Sequence, residues 1–187
     1  MPSQRSIHKQ NLPAPVSSFI GREQELGAIG QRLREHRLIT LTGTGGTGKT
    51  RLALEAAAGE LDHFADGVWL VELAGLATSD LVAQTIAKVL ALPEAPDLAP
   101  LERLGAFLQS RRLLLVLDNC EHLIEECARI TAILLARCSP STETRVQQRV
   151  PVRQTDGQHR SRAGSPMLLA GLDRGSAKVG LAGSLRR

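Results

Sequence analysis

Apolar positions between residues 22 and 138 fall into two rhythms, and their alternation sketches an architecture. Leu26, Ile29 and Leu33 recur at helical spacing, which predicts a helix from about Arg22 to His36 with one buried face. A strand follows at about Arg37 to Thr42, then a helix from Lys49 to about Leu61. Val68 to Leu73 reads as a second strand, bounded by Asp66-Gly67 and Gly75. Ser79-Asp80 can cap a helix reaching about Leu90, and Pro93, Pro96 and Pro100 mark a loop before a helix from Leu101 to Ser110. Leu113 to Leu117 is an unbroken apolar run ending in Asp118, which suits a strand covered by helices on both faces of a parallel sheet. Leu123, Cys127, Ile130, Leu134 and Cys138 then make a helical stripe. Strands alternating with helices predict an α/β fold, a parallel sheet between two helical layers.

The pattern stops at Ser139. No Phe, Trp, Tyr or Ile occurs from there to Arg187, and Arg, Gln, Ser and Gly dominate. Arg145 to Arg153 carries a weak strand signal in Val146, Val150 and Val152, diluted by Gln147, Gln148 and Arg149. Leu168 to Leu172 is a short apolar patch. The tail therefore reads as largely irregular.

Composition changes this picture in three places. Hydrophobic residues make up 42% of the 187, enough for a core, but with three Phe, one Trp and no Tyr that core must be aliphatic. The net charge of +4 belongs to the tail: residues 1–138 hold 14 Lys+Arg against 16 Asp+Glu, and residues 139–187 hold 9 against 3. No helix-turn-helix pattern, zinc site or aromatic platform accompanies that charge, so it reads as a solvated tail and direct DNA binding is not expected of it. Cys120, Cys127 and Cys138 match no zinc or redox spacing and read as small apolar residues. With no long apolar run and a polar stretch from Met1 to Gln10, a cytoplasmic, non-membrane protein is expected.

The chemistry concentrates in Gly43-Thr44-Gly45-Gly46-Thr47-Gly48-Lys49-Thr50, a G-x-x-x-x-G-K-T sequence set between the first strand and the second helix. Glycines there let successive N–H groups turn inward as an anion nest, and the helix N-terminus adds partial positive charge. Lys49 would reach the β- and γ-phosphates, Thr50 would take a place on Mg²⁺, and Arg51 follows directly. Asp118, at the end of the buried run about 70 residues later, can hold the same Mg²⁺ through water. Hydrolysis also needs a group to orient water. Asn119 can position water but cannot take its proton, and Glu121 is the second candidate, with capping or a solvent-facing position as its alternative. The residues therefore predict a P-loop NTPase fold that binds a nucleoside triphosphate or diphosphate with Mg²⁺, with slow turnover or none; ATP or ADP as that nucleotide is what the following resemblance implies.

Phe19-Ile20-Gly21-Arg22-Glu23, the Gly43–Thr50 loop, Gly67 to Leu73 and Leu115 to Leu123 together resemble the STAND class of signal-transduction ATPases. The likeness is to the NB-ARC-like nucleotide-binding domain of large bacterial regulators of the LuxR and AfsR type, and it covers about residues 11–138. The resemblance implies that Ile20, Gly21 and Arg22 lie beside the adenine. It implies a switch that holds ADP when closed and exchanges it for ATP on a signal, with self-association or other regulator domains as partners. It implies also a fourth, apolar strand in the middle of the sheet, ending in a γ-phosphate-sensing Arg. This chain offers Arg145 to Pro151 there, with Arg149 and Pro151 as the nearest matches, and the apolar strand is missing. The expected organisation is an extended leader (1–18), an incomplete nucleotide-binding domain (19–138) and a basic tail (139–187) that starts near a break in the reading frame at about Pro140. A truncated remnant of such a regulator, or a P-loop ATPase with real turnover, are the alternatives to a switch.

Overall fold

The computed structural model describes residues 10–14, 20–138, 148–151 and 167–172. Five helices and five strands make up these residues: α1 (Glu23–Glu35), β1 (Leu38–Thr42), α2 (Lys49–Gly59), β2 (Gly67–Glu72), α3 (Leu81–Val89), α4 (Pro100–Leu108), β3 (Leu113–Asp118), α5 (Ile124–Arg137), β4 (Gln148–Pro151) and β5 (Met167–Leu172). Every helix and strand expected between residues 22 and 138 is present, with ends displaced by a residue or two. The exceptions are informative: the predicted second helix stops at Gly59 and a 3-10 turn covers Leu61–His63, while the last stripe opens on a 3-10 turn at Glu121–Leu123 before α5.

The strands form one sheet in the order β2-β3-β5-β1-β4. Alternation along β3 shows how the layers close. Leu113, Leu115 and Leu117 pack with Val82 and Ile86 of α3, Leu104 and Leu108 of α4, and Cys127, Ile130 and Leu134 of α5. Leu114 and Val116 face the other way, into a cluster with Ile29 and Leu33 of α1, Ile39 and Leu41 of β1, and Leu52, Ala53, Ala56 and Ala57 of α2. Burial on both faces is why the run is apolar throughout, and each such side chain contributes about 1.5–3 kcal/mol. No helix among the described residues is long and apolar enough to cross a membrane.

Two findings depart from expectation. The sheet is mixed: β5 lies between β3 and β1 and runs antiparallel to both, whereas β2 with β3 and β1 with β4 are parallel. The central place thus goes to the short apolar patch, Met167–Leu172, and the segment expected there sits instead at the outer edge. In that edge position Arg149 is opposite Thr40 and Pro151 opposite Thr42. An edge strand tolerates Pro and polar residues because one side makes no ladder, and a central strand does not. Arg149 is therefore level with the middle of β1, away from the sheet end that the sensor expectation requires. The frame break expected near Pro140 lies outside the described residues.

The leader is anchored where it is described. Gln10 bridges Val68 in parallel fashion, and the Asn11 side chain donates to the Leu70 carbonyl (2.8 Å) and accepts from its N–H (2.6 Å). At about 1 kcal/mol per bond, these contacts pin the free edge of β2 and carry Pro13 and Ala14 toward the carboxyl end of the sheet.

Candidate functional site

Thr42 ends β1 and Lys49 begins α2, so residues 43–48 must turn the chain within one short loop. Gly46 (φ 77°) and Gly48 (φ 73°) take the left-handed conformation that a side chain would strain. Gly48 is the N-cap of α2 and offers no side-chain cap, so the first N–H groups of the helix remain available to an anion. The Thr47 hydroxyl donates to the Thr44 carbonyl at 2.9 Å and stiffens the turn from within.

Lys49 is 7% exposed, and its ammonium donates to the Gly43 and Thr44 carbonyls at 2.9 and 2.8 Å. Burial pushes its pKa down, and the negative charges of Glu121 and Asp118 pull it back up. A buried ammonium on two loop carbonyls is a charge ready to turn toward a stronger acceptor.

Asp118 closes the site from β3. It is 8% exposed, and its Oδ1 accepts from the Thr50 hydroxyl at 3.3 Å and from the Asn119 N–H at 2.9 Å. Burial raises its pKa; the two hydrogen bonds work against that, and the nearby charges of Glu72 and Glu121 add to the rise. Asn119 follows with φ 56°, a left-handed residue of the kind that Asn tolerates better than most. Hydroxyl and carboxylate oxygens meeting at one point are the hard donors that Mg²⁺ selects, so the residues fit that ion.

A cavity of about 610 Å³ opens over these groups. Gly45, Gly46, Gly48, Lys49, Thr50, Arg51, Asp118 and Asn119 line it, which brings together most of the site residues expected from the sequence. Gly43, Thr44 and Thr47 lie behind, as acceptors for Lys49, Thr47 and Arg22. Glu121 is exposed in the turn after Asn119, within electrostatic reach of both Lys49 and Asp118. Ile20 is 85% exposed, and neither it nor Gly21 nor Arg22 lines the cavity.

Sequence reasoning missed part of the wall. Leu54, Glu55 and Ala58 line the cavity with Arg51, and Pro13 and Ala14 face them from the leader. The spacing 51, 54, 55, 58 is one face of α2, so helical periodicity carried the signal. Glu72 was missed as well: it pairs in register with Asp118 at the end of β2, which the alternation of β2 against β3 could have shown. The three cysteines are buried thiols outside any disulfide, and burial raises their pKa values, that of Cys127 to about 12.

Comparison with known proteins converges on one family. The NB-ARC domain family matches residues 22–145. A provisionally named HTH-type transcriptional regulator of Mycobacterium bovis is 46% identical over 111 residues, covering 59% of this chain and 12% of that protein. An uncharacterized Mycobacterium tuberculosis protein is 41% identical over 123 residues, 66% of this chain and 31% of that protein. The regulatory protein AfsR of Streptomyces griseus is 29% identical over 175 residues, 84% of this chain and 17% of AfsR. The chain thus spans less than a third of the length of each of these relatives. No solved structure gives a significant match.

Proposed function

The chain belongs to the NB-ARC domain family, and we propose that it is an adenine-nucleotide switch module of the STAND type, binding ADP or Mg²⁺-ATP in the cavity above β1 and β3. The observation that carries this reading is the meeting of Thr50 and Asp118 at 3.3 Å beside the uncapped N-terminus of α2. Triphosphate binding needs a positive nest and a place for a hard cation at its rim; the loop backbone and the start of α2 offer the first, and the Thr50 hydroxyl with the Asp118 carboxylate offers the second. Lys49 would leave the Gly43 and Thr44 carbonyls for the phosphates. Thr50 and Asp118 would hold Mg²⁺, which would supply charge neutralisation to the phosphates. Pro13, Ala14, Leu54 and Ala58 offer an apolar wall for the base, with Arg51 and Glu55 at its border.

Turnover is slow or absent in this reading. Asn119 is where many P-loop ATPases place a Glu, and an amide cannot accept the proton of an attacking water. The longer relatives carry this module in regulators, and a regulatory role with partner domains or a second copy is proposed here on the same footing. Titration calorimetry with ADP and with Mg²⁺-ATP tests binding, and a phosphate-release assay tests turnover. Absence of binding at millimolar nucleotide would overturn the reading. Release well above one phosphate per second would replace the switch with an ATPase.

A further inference from the structure

Arg22 stands outside the cavity yet touches the loop that builds it. Its position is set by an unusual turn: Gly21 (φ 80°) and Arg22 (φ 66°) are both left-handed, and the Gly21 N–H donates to Glu23 Oε1 at 3.0 Å. Arg22 is the N-cap of α1, and a non-glycine residue there in the left-handed region is strained, so the rest of the fold must hold it. Two things do. The guanidinium forks onto the Glu25 carboxylate through Nε and Nη2, the latter at 2.8 Å. Its Nη1 donates to the Thr47 carbonyl at 2.8 Å.

That last bond has a consequence for the nest. Carbonyl and N–H of a trans peptide point in opposite directions, so a Thr47 carbonyl held by Arg22 aims the Gly48 N–H the other way. Gly48 lines the cavity and Arg22 does not. A Cβ built on Gly48 would come within 3.6 Å of Arg22 Nη1, so the guanidinium lies against this peptide, on the side of the Thr47 carbonyl that it holds. The Thr47 hydroxyl, tied to the Thr44 carbonyl, fixes the same residue from its side chain.

We propose that Arg22, oriented by Glu25, is a positioning residue for phosphate: it braces the Thr47–Gly48 peptide from behind so that its N–H faces the anion, and it makes no contact with the base. The inference rests on the nucleotide-binding reading and assigns the Gly21-Arg22 stretch a different task from an adenine contact. It also makes α1 a lever on the loop, because any displacement of the first turn of α1 moves the guanidinium with it.

Calorimetry on the full chain with three probes (Mg²⁺-ATP, magnesium pyrophosphate and adenosine) separates the roles. Loss of one charge-assisted bond corresponds to about tenfold in affinity. R22A should weaken ATP and pyrophosphate by the same factor, about tenfold, and leave adenosine unchanged. R22K, which keeps a donor for the Thr47 carbonyl but loses the planar fork, should recover part of the loss. E25Q should weaken pyrophosphate binding too, and R22A/E25Q should lose no more than R22A alone, because the two residues act as one unit. ATP affinity that falls while pyrophosphate affinity holds would make Arg22 a base contact and overturn the proposal. An unliganded unfolding midpoint that drops with both affinities intact would overturn it as well, leaving Arg22 a helix anchor. If R22A does not fold, the pyrophosphate-to-adenosine ratio of R22K decides in the same way. A wild-type chain that binds neither phosphate probe overturns both this proposal and the nucleotide-binding reading, whereas failure in the variants alone overturns only the brace.

Discussion

Replacing Asp118 by Asn separates what the carboxylate costs from what it is for. The buried carboxyl is held above its ordinary pKa chiefly by desolvation, with Glu72 and Glu121 adding repulsion. Asn has the same shape, and its Oδ1 can accept from the Thr50 hydroxyl and the Asn119 N–H as Asp118 does now. Removing the charge from such a site should raise the stability of the unliganded chain by about 0.5–2 kcal/mol, the usual gain when functional strain is relieved. For a chain of this size that is a midpoint rise of about 1–8 °C. Because folding raises the Asp118 pKa, the native state holds its proton to higher pH than the unfolded chain does, and the group costs stability as pH rises through its native value. The advantage of D118N is therefore fully present above that native value and shrinks as pH falls toward the unfolded carboxyl pKa of about 3.9. Binding should move in the opposite direction. Loss of a carboxylate facing Mg²⁺ should cut Mg²⁺-ATP affinity about 10- to 100-fold, while affinity for ATP in chelator changes little. Scanning fluorimetry across pH, with calorimetry with and without Mg²⁺, reads both effects. A D118N chain that is less stable than wild type at pH 7.5, or that keeps its full response to Mg²⁺, refutes the argument.

Other parts of the structure give sharper local tests. Leu54→Ala removes part of the apolar wall of the cavity, and should weaken ATP and ADP about three- to tenfold while pyrophosphate binds as before; equal loss for all three would place the base elsewhere. Two helical glycines should respond oppositely to Ala. At Gly30 the new Cβ would lie 2.8 Å from Glu60 Oε1, which is buried and pinned by Arg34 at 2.8 Å, so Gly30→Ala should cost about 1–3 kcal/mol in denaturant titration. At Gly105 the three atoms nearest the new Cβ all belong to the exposed Arg137 side chain, which can swing away, so Gly105→Ala should be neutral or gain up to about 1 kcal/mol; the same sign at both positions would contradict the packing. Leu169→Pro removes a backbone donor from a strand paired on both sides, and should cost about 1–3 kcal/mol together with nucleotide affinity. An unchanged unfolding midpoint in that variant would remove residues 167–172 from the centre of the sheet.

What the sequence disclosed and what it withheld divide along one physical line. Elements whose reason is local were legible: β3 because both faces of a buried strand must be apolar, α2 because a glycine-rich turn must precede it, and the Thr50–Asp118 meeting because each ends up beside a strand terminus. The wall formed by Pro13 and Ala14 was not legible, since nothing in Asn11 announces that its side chain will pair with Leu70, 59 residues away. The central strand is the extreme case. In Met167–Leu172 the sequence shows only a short apolar patch after a long polar stretch, and local pattern cannot distinguish an exposed patch from a strand. The demand for a strand lies elsewhere, in β1 and β3. β3 is buried throughout and β1 from Ile39 to Leu41, they do not pair with one another, and the ladder groups facing the gap between them need a partner because unpaired backbone in a core costs about 1–3 kcal/mol per group. Met167–Leu172 meets that demand by running antiparallel, with Met167 opposite Leu41 and Leu172 opposite Leu113. Direction is free because a gap between two strands offers donors and acceptors to a strand of either sense. The consequence reaches the site. At the end of the sheet where β1 enters the glycine-rich loop, an antiparallel strand places its first residue, Met167, where a parallel strand would place its last. The centre of this sheet therefore holds β1 and β3 one strand apart, and with them the spacing between the glycine-rich loop and Asp118.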